Sequence, residues 1–303
     1  MIKTKQAYKV LLFYKYVEIA NPEEFTEWQK GICMDLNLKG RILVSDEGLN
    51  GTCAGLANDI DEYVKIMEDL EEFSDMEWKV SFADEQVFPR LSVKVRPEIV
   101  TLGLKKQSKD VAIENKAHYI EPEELFDLYE SGEDFVILDA RNDYEAKVGK
   151  FKDAMIPPID NFREFPDFVK KNLEEYKDKN VVTYCTGGIR CEKASAYLRE
   201  QGFKKVRQLH GGIHRYSDTT GGKHFEGEMF VFDKRLTTPV NHVNPTVLTK
   251  CKWCDKEITR LIDCKNHECT ERMFTCCEQC EKKHKGFCSE TCKNSTNTSS
   301  LHI

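Results

Sequence analysis

The stretch Cys185-Thr186-Gly187-Gly188-Ile189-Arg190-Cys191 combines a thiol, two glycines and an arginine within seven residues. The apolar Val181-Val-Thr-Tyr184 before it reads as a buried strand, the glycine pair as a tight loop, and a helix is expected from about Cys191 to 201, ended by Gly202. A cysteine at such a junction sits among backbone N–H donors and at the positive end of a helix dipole, and both favour thiolate over thiol. Cys185 is therefore the candidate catalytic nucleophile, reactive near neutral pH. Gly187 and Gly188 let the backbone turn its N–H groups inward, where larger side chains would hinder it. Arg190 closes the loop and either orients an anion or holds the loop together. Cys191 is a possible second thiol, able to resolve an oxidised or persulfidated Cys185, with packing at the helix start as the alternative.

A second concentration of chemistry lies at the other end of the chain. Nine of the thirteen cysteines follow residue 250, as Cys251-x2-Cys254, Cys264-x4-Cys269, Cys276-Cys277-x2-Cys280 and Cys288-x3-Cys292. Closely spaced thiolate pairs separated by loops have the spacing of structural zinc sites, because two pairs supply one tetrahedron. Cys251, Cys254, Cys264, Cys269, Cys277, Cys280, Cys288 and Cys292 would fill two sites; Cys276 or Cys277 is then spare, with Cys277 favoured as ligand by its x2 spacing to Cys280. The spacing leaves open which pairs share an ion, and His267 and His284 are substitute ligands. So short a region has little apolar surface for a core, so zinc would supply folding free energy, of order 10 kcal/mol per site. Trp253, Phe274 and Phe287 would pack beside the metals or stack on bases. Residues 294–303, rich in Ser, Thr and Asn, are expected to be disordered.

The 303 residues suffice for two or three domains, and the net charge of -7 argues against a wholly basic nucleic-acid binder. The charge is uneven, however. Arg90, Lys94, Arg96, Lys105 and Lys106 form a basic strip that could engage phosphates, or keep a strand edge soluble. The sequence shows neither an apolar run of membrane-spanning length nor a signal-peptide apolar segment, so a cytoplasmic location without membrane association is expected.

The elements that must position these groups follow from periodicity. A strand over 8–16, a helix opened by Asn21-Pro22, a strand over 41–45, a turn at Asn50-Gly51, a helix from about Asn58 and strands near 76–82 and 91–96 predict a ferredoxin-like, acylphosphatase-like α+β domain over 1–102. The glycine-rich 46–52 segment is expected to be a turn, or else a loop facing a neighbouring active site. A polar linker follows over 103–117. Residues 118–235 alternate helices and strands, which predicts an α/β domain with a mostly parallel sheet and Cys185 at a strand's carboxyl end, where such sheets bind ligands. The cysteine-rich, zinc-binding region spans 236–293.

Asp139-Ala-Arg141-Asn-Asp-Tyr-Glu145, followed by Gly149-Lys-Phe-Lys-Asp-Ala154 and the Cys185 loop, resembles a rhodanese α/β domain. The loop is Cys-x4-Arg, shorter than the Cys-x5-Arg of cysteine phosphatases and better suited to a sulfur-sized species. With Gly40-Arg-Ile-Leu-Val-Ser-Asp-Glu-Gly-Leu-Asn-Gly-Thr52, Cys-Thr-Gly-Gly-Ile-Arg-Cys-Glu-Lys193, Phe230-Val-Phe-Asp-Lys-Arg235 and the cysteine-rich tail, nearly the whole chain resembles the TrhO family. That resemblance implies hydroxylation of the wobble uridine of tRNA to 5-hydroxyuridine with molecular oxygen as co-substrate, and so tRNA, held by its anticodon arm, as partner. It also implies a structural rather than catalytic role for Asp139, Arg141 and Glu145. The alternative is a sulfurtransferase carrying a persulfide on Cys185. No flavin fingerprint and no two-histidine-one-carboxylate iron pattern accompanies the loop, and nothing in the sequence specifies an oligomeric state.

Overall fold

The computed structural model describes residues 8–104, 118–271 and 273–298. Lys105, Lys106 and all of the expected linker beyond residue 104 lie outside the described residues, as do residues 299–303.

The N-terminal domain is one sheet with helices on one face. Strands β1 (Tyr8–Tyr16), β2 (Lys39–Ser45), β3 (Gly48–Leu56), β4 (Lys79–Ala83) and β5 (Leu91–Val95) lie in the order β4-β1-β3-β2-β5. All pairings are antiparallel except β2 with β5. Helix α1 (Pro22–Asp35) is capped by the Asn21 side chain, which accepts from the Glu24 N–H at 3.2 Å. With α2 (Ala57–Glu68) it covers Leu11, Phe13, Ile42, Val44, Leu49 and Cys53. Alternation then puts Leu12, Tyr14, Arg41, Leu43, Asn50, Thr52 and Lys79 on the other face. Tyr14 pairs with Asn50, and Leu12 with both Thr52 and Lys79. That face is turned toward the rest of the chain.

The expected turn at Asn50-Gly51 is corrected. The hairpin turns at Asp46-Glu47, since Ser45 already pairs with Gly48, and Asn50 and Gly51 lie mid-strand opposite Tyr14 and Phe13. Gly51 serves packing, because a Cβ there would come within 2.5 Å of the Phe13 ring.

The central domain carries a parallel sheet of β6 (His118–Ile120), β7 (Val136–Asp139), β9 (Asn180–Tyr184) and β10 (Lys205–Leu209), ordered β6-β10-β9-β7. Between β7 and β9 the chain forms α4 (Asp143–Val148), β8 (Gly149–Phe151) and α5 (Phe165–Asn172); α3 (Pro122–Ser131) precedes β7. Helices α6 (Ile189–Glu200) and α7 (Gly212–Thr220) follow β9 and β10. Both sheet faces are covered, one by a cluster around Leu138, Phe165 and Leu198, the other by one around Ile137, Phe151 and Tyr216, which accounts for the continuous apolar runs in β7 and β9.

Around the expected domain boundaries the packing is as follows. Leu102, with Val100 and Leu104, packs in the cluster around Leu138, Phe165 and Leu198. Strand β12 (Met229–Phe230) pairs with β13 (Thr237–Thr238), so this small hairpin straddles residue 235. Strand β11 (Phe225–Gly227), which pairs with β8, lies just before it.

The tail is built from β14 (Leu261–Asp263) paired with β15 (Met273–Thr275), then α8 (Glu278–His284) and α9 (Glu290–Thr298). Residues 294–298, expected to be disordered, are helical, as the backbone started at Glu290 continues through them. Among the described residues no helix is long and apolar enough to cross a membrane.

Candidate active site and metal centres

Cys185 follows the last residue of β9 and is fully buried from bulk solvent. The loop is held from behind by α7. Ile213 N–H donates to the Cys185 carbonyl at 3.0 Å and His214 N–H to the Thr186 carbonyl at 3.2 Å. Gly212 permits that approach, since a Cβ would lie 2.5 Å from the Cys185 carbonyl oxygen and φ is +65°. In front, Gly188 N–H donates to Cys185 Sγ at 3.1 Å, and Gly188 itself, at φ 105°, caps α6. The helix therefore begins two residues earlier than Cys191, with Ile189 and Arg190 in its first turn.

Burial alone pushes the Cys185 thiol up. The Cys191 thiol, the Arg190 guanidinium and the Arg190 and Gly188 N–H groups outweigh it and bring Cys185 down to about 6. Cys191 moves the opposite way, raised well above the ordinary thiol range by burial and by its hydrogen bond to Cys185. One proton thus rests on Cys191 while Cys185 carries the charge.

Arg190 holds the loop through a carboxylate rather than through carbonyls. Its guanidinium donates to Glu145 Oε1 at 2.6 Å and Oε2 at 2.9 Å, a bidentate pair with Glu145 fully buried. Asp139 instead pairs with Arg141, which also donates to the Gly149 carbonyl at 2.7 Å, while Tyr184 O–H donates to Asp139 at 2.6 Å. These two pairs fix β7, α4 and the loop relative to one another.

The N-terminal sheet roofs the thiol. A cavity of about 420 Å³ is lined by Cys185, Thr186, Gly187, Ile189 and Arg190 below and by Leu12, Tyr14, Arg41, Leu43, Asn50 and Thr52 above. Ile99, Val100 and Thr101 close one side, and Phe232, 58% exposed, stands at the mouth. The close fit explains the glycine pair further. A Cβ on Gly187 would lie 2.8 Å from Leu12, and one on Gly188 would lie 2.8 Å from the Tyr14 hydroxyl. Sequence reasoning missed this roof, although aromatic and apolar residues at alternate positions of β1 (Leu12, Tyr14, Tyr16) mark a second covered sheet face.

Buried charge fastens the roof. Lys193, 1% exposed on α6, donates to Glu47 at 2.9 Å and Glu98 at 2.8 Å, both from the N-terminal part of the chain. Glu192 accepts from Tyr14 at 3.1 Å and Tyr119 at 2.8 Å. Arg235 donates to Ser81 at 3.1 Å, tying the stretch after β12 to β4.

The expected basic strip joins the same face. Leu91 and Val93 point to the helix side of the sheet, so alternation puts Ser92 and Lys94 on the cavity side, with Ser92 opposite Arg41 and Lys94 opposite Leu43. Arg90 and Arg96 flank this strand, and the Arg96 guanidinium donates to the Val95 carbonyl at 2.9 Å. Among the described residues Arg41, Arg90 and Lys94 have no carboxylate partner.

In the tail the cysteines form two clusters, Cys251-Cys254-Cys277-Cys280 and Cys264-Cys269-Cys288-Cys292, each with its sulfurs within 4.8 Å of one another. Sulfurs on a tetrahedron around zinc, with Zn–S of about 2.3 Å, stand about 3.8 Å apart. Cys251 and Cys254 each lie 3.8 Å from Cys277, Cys264 lies 3.6 Å from Cys292, and Cys269 lies 3.5 Å from Cys288. The donor set fits a metal ion. The two sites interleave along the chain, and Cys276 belongs to neither, its sulfur lying 3.5 Å from the Cys277 carbonyl. His284 stacks on Trp253 at 3.5 Å, and Phe274 is buried among the cysteines, so these aromatic rings pack inside the tail.

Comparison with known proteins follows the same three-part division. Residues 8–99 match the UPF0176 acylphosphatase-like domain, 121–219 the rhodanese-like domain and 226–293 the rhodanese C-terminal family. A solved rhodanese-like domain from Anabaena is 26% identical, covering 44% of this chain and 92% of its own, with a TM-score of 0.32. Whole-chain relatives are named tRNA uridine(34) hydroxylase. That of Bacillus mycoides is 41% identical over 96% of this chain and 90% of its own length. Those of Enterococcus faecalis (42% identical; 94% and 90%) and Staphylococcus haemolyticus (44%; 94% and 88%) cover similar shares. With its acylphosphatase-like roof, rhodanese-type thiol and cysteine-rich tail in one continuous match, the chain belongs to the tRNA uridine(34) hydroxylase family.

Proposed function

We propose that this chain is a cytoplasmic enzyme that hydroxylates carbon 5 of uridine 34 in tRNA, with Cys185 as its catalytic residue. The observation that carries the reading is a polarised thiol on the floor of a cavity that two domains build together. A carrier of persulfide to small acceptors needs no such roof. The cavity is of the size of a single nucleotide, which requires the base to be turned out of the anticodon loop, the usual route for chemistry on a base.

In the proposed reaction the Cys185 thiolate adds to carbon 6 of uracil, and the electrons of the 5,6 double bond move toward the carbonyl at carbon 4. Carbon 5 becomes nucleophilic and takes its hydroxyl oxygen from molecular oxygen. The second oxygen atom leaves as water, with two electrons from an external thiol reductant. Loss of the carbon-5 proton and expulsion of the thiolate restore the ring and the free enzyme. Thr186, Gly187, Gly188, Ile189 and Arg190 shape the loop, and the protonated Cys191 stabilises the thiolate as a hydrogen-bond donor.

Arg41, which lines the cavity, Lys94 on the neighbouring strand, and Arg90 and Arg96 at that strand's two ends would carry the backbone of the anticodon arm, with Lys105 and Lys106 further along the chain. Phe232 offers an aromatic face at the mouth on which a base can stack. The tail would hold two zinc ions, in the two cysteine clusters, as structural centres. Mass spectrometry of tRNA nucleosides from cells lacking the gene tests the reading. Loss of 5-hydroxyuridine at position 34, restored by the wild-type gene, supports it, and an unchanged nucleoside profile refutes it.

A further inference from the structure

Lys79 belongs to the N-terminal domain, yet its side chain is 6% exposed and lies against the catalytic loop. Strand β4 pairs Lys79 with Leu12, the residue that touches Gly187, and the Lys79 Cδ lies 3.6 Å from where a Gly187 Cβ would be. Its ammonium stands 5.2 Å from the centre of the Tyr14 ring. The nearest carboxylate, Glu77, is 3.5 Å away and is shared with His210 at 2.8 Å and Arg215 at 3.1 Å. A buried cation with so diluted a counter-charge is costly unless another negative group faces it.

The groups that face this region can be enumerated. From β1 come Tyr14 and Tyr16, both with phenols raised by burial and therefore neutral. From α6 come Arg190 and Cys191, the latter protonated. From α7 come His214, held down by burial, and Arg215. Glu192 is engaged by two tyrosine hydroxyls. Asp75 is paired with Lys15, Asp218 with His214, and Glu121 with His210 and Arg215, so among the described residues Cys185 is the anion without such a partner, and the Lys79 ammonium, lowered by burial, is supported by Glu77 and by Cys185.

We propose that Lys79 is a positioning residue of the active site, a cation that the N-terminal sheet delivers across the domain interface to stabilise the Cys185 thiolate. The inference rests on Cys185 being the reacting thiol. Docking of the two domains then completes the electrostatics of the site as well as its walls. An isolated rhodanese-type domain lacks this charge.

The test is the pH dependence of Cys185 alkylation by iodoacetamide in the full-length protein, read on the Cys185 peptide by mass spectrometry. It needs neither tRNA nor oxygen, so its outcome is independent of whether uridine is hydroxylated. Wild type should be half-maximal near pH 6. Lys79→Met should shift the midpoint up by about half a pH unit, which leaves about half as much thiolate at pH 6. Lys79→Arg should keep the wild-type midpoint, and Glu77→Gln, which leaves the lysine and its packing in place, should move it down. An unchanged midpoint in Lys79→Met, an equal upward shift in Lys79→Arg, or no downward shift in Glu77→Gln overturns the proposal.

Discussion

Replacing Lys193 by methionine probes the join between the two domains. The ammonium is 1% exposed and bonds Glu47 at 2.9 Å and Glu98 at 2.8 Å. Glu47 also accepts from the Ile99 N–H at 2.7 Å, and Glu98 from the Leu102 N–H at 3.1 Å, so neither carboxylate is free to swing into water without breaking a second bond. Removing one partner of a buried ion pair costs about 3–5 kcal/mol because the other is left charged and desolvated. The loss should appear as a lower urea midpoint in the transition followed by tryptophan fluorescence. Two of the three tryptophans, Trp28 and Trp78, belong to the N-terminal domain.

The deficit should also depend on pH. Burial raises the Glu47 carboxyl, while Lys193 opposes that. Without the lysine the carboxyl rises further, so the folded state holds a proton that the unfolded state releases. Stability then falls as pH rises through the folded-state value, and the difference from wild type is larger at pH 8 than at pH 5. Lys193→Met combined with Glu47→Gln should recover part of the loss. A Lys193→Met protein within about 0.5 kcal/mol of wild type at pH 8 would refute the docked arrangement, since surface substitutions fall in that range.

Three further outcomes follow from the same geometry. Gly188→Ala places a methyl 2.8 Å from the Tyr14 hydroxyl at φ 105°, so it should cost about 1–3 kcal/mol and disturb the thiolate; Tyr14→Phe should relieve the clash but not the backbone strain, giving partial rescue in thermal denaturation. Arg90→Glu and Lys94→Glu should weaken tRNA binding, and the slope of log affinity against log salt should become shallower by about 0.7–0.9 for each phosphate that is no longer neutralised; an unchanged slope removes this face from the RNA interface. Elemental analysis should find two zinc ions per chain in wild type and in Cys276→Ser, but one in Cys277→Ser, with chelation of the metals abolishing the fold of the tail.

Much of the site is legible in the sequence where chemistry and local structure coincide. The apolar run before Cys185 and the glycines after it specify strand, loop and helix without help from the rest of the chain. The tail is legible for a similar reason, since ligand spacing selects Cys277 over Cys276, although only the folded chain shows that Cys251 and Cys254 join Cys277 and Cys280. What escapes depends on neighbours distant in sequence. Asn50-Gly51 carries a strong turn signal, yet Gly51 answers to the Phe13 ring, and the turn falls at Asp46-Glu47. Lys79 and Arg41 look like ordinary surface cations until register places them on the cavity side of the sheet. Glu145 groups with Asp139 and Arg141 in the sequence, but its partner is Arg190, 45 residues away. Short elements such as β6, β8 and α4 have too few residues to show a period, and burial in the central domain decides them.

Hydroxylation by purified protein tests directly whether Cys185 carries the reaction. Unmodified tRNA is incubated under oxygen-18 gas with a thiol reductant and wild-type or Cys185→Ser protein, and the nucleosides are analysed by mass spectrometry. Wild type should yield 5-hydroxyuridine at position 34 bearing one heavy oxygen, and Cys185→Ser none. Full activity in Cys185→Ser would contradict this, as would a wild-type protein that leaves the tRNA unchanged and only moves sulfur from thiosulfate to cyanide.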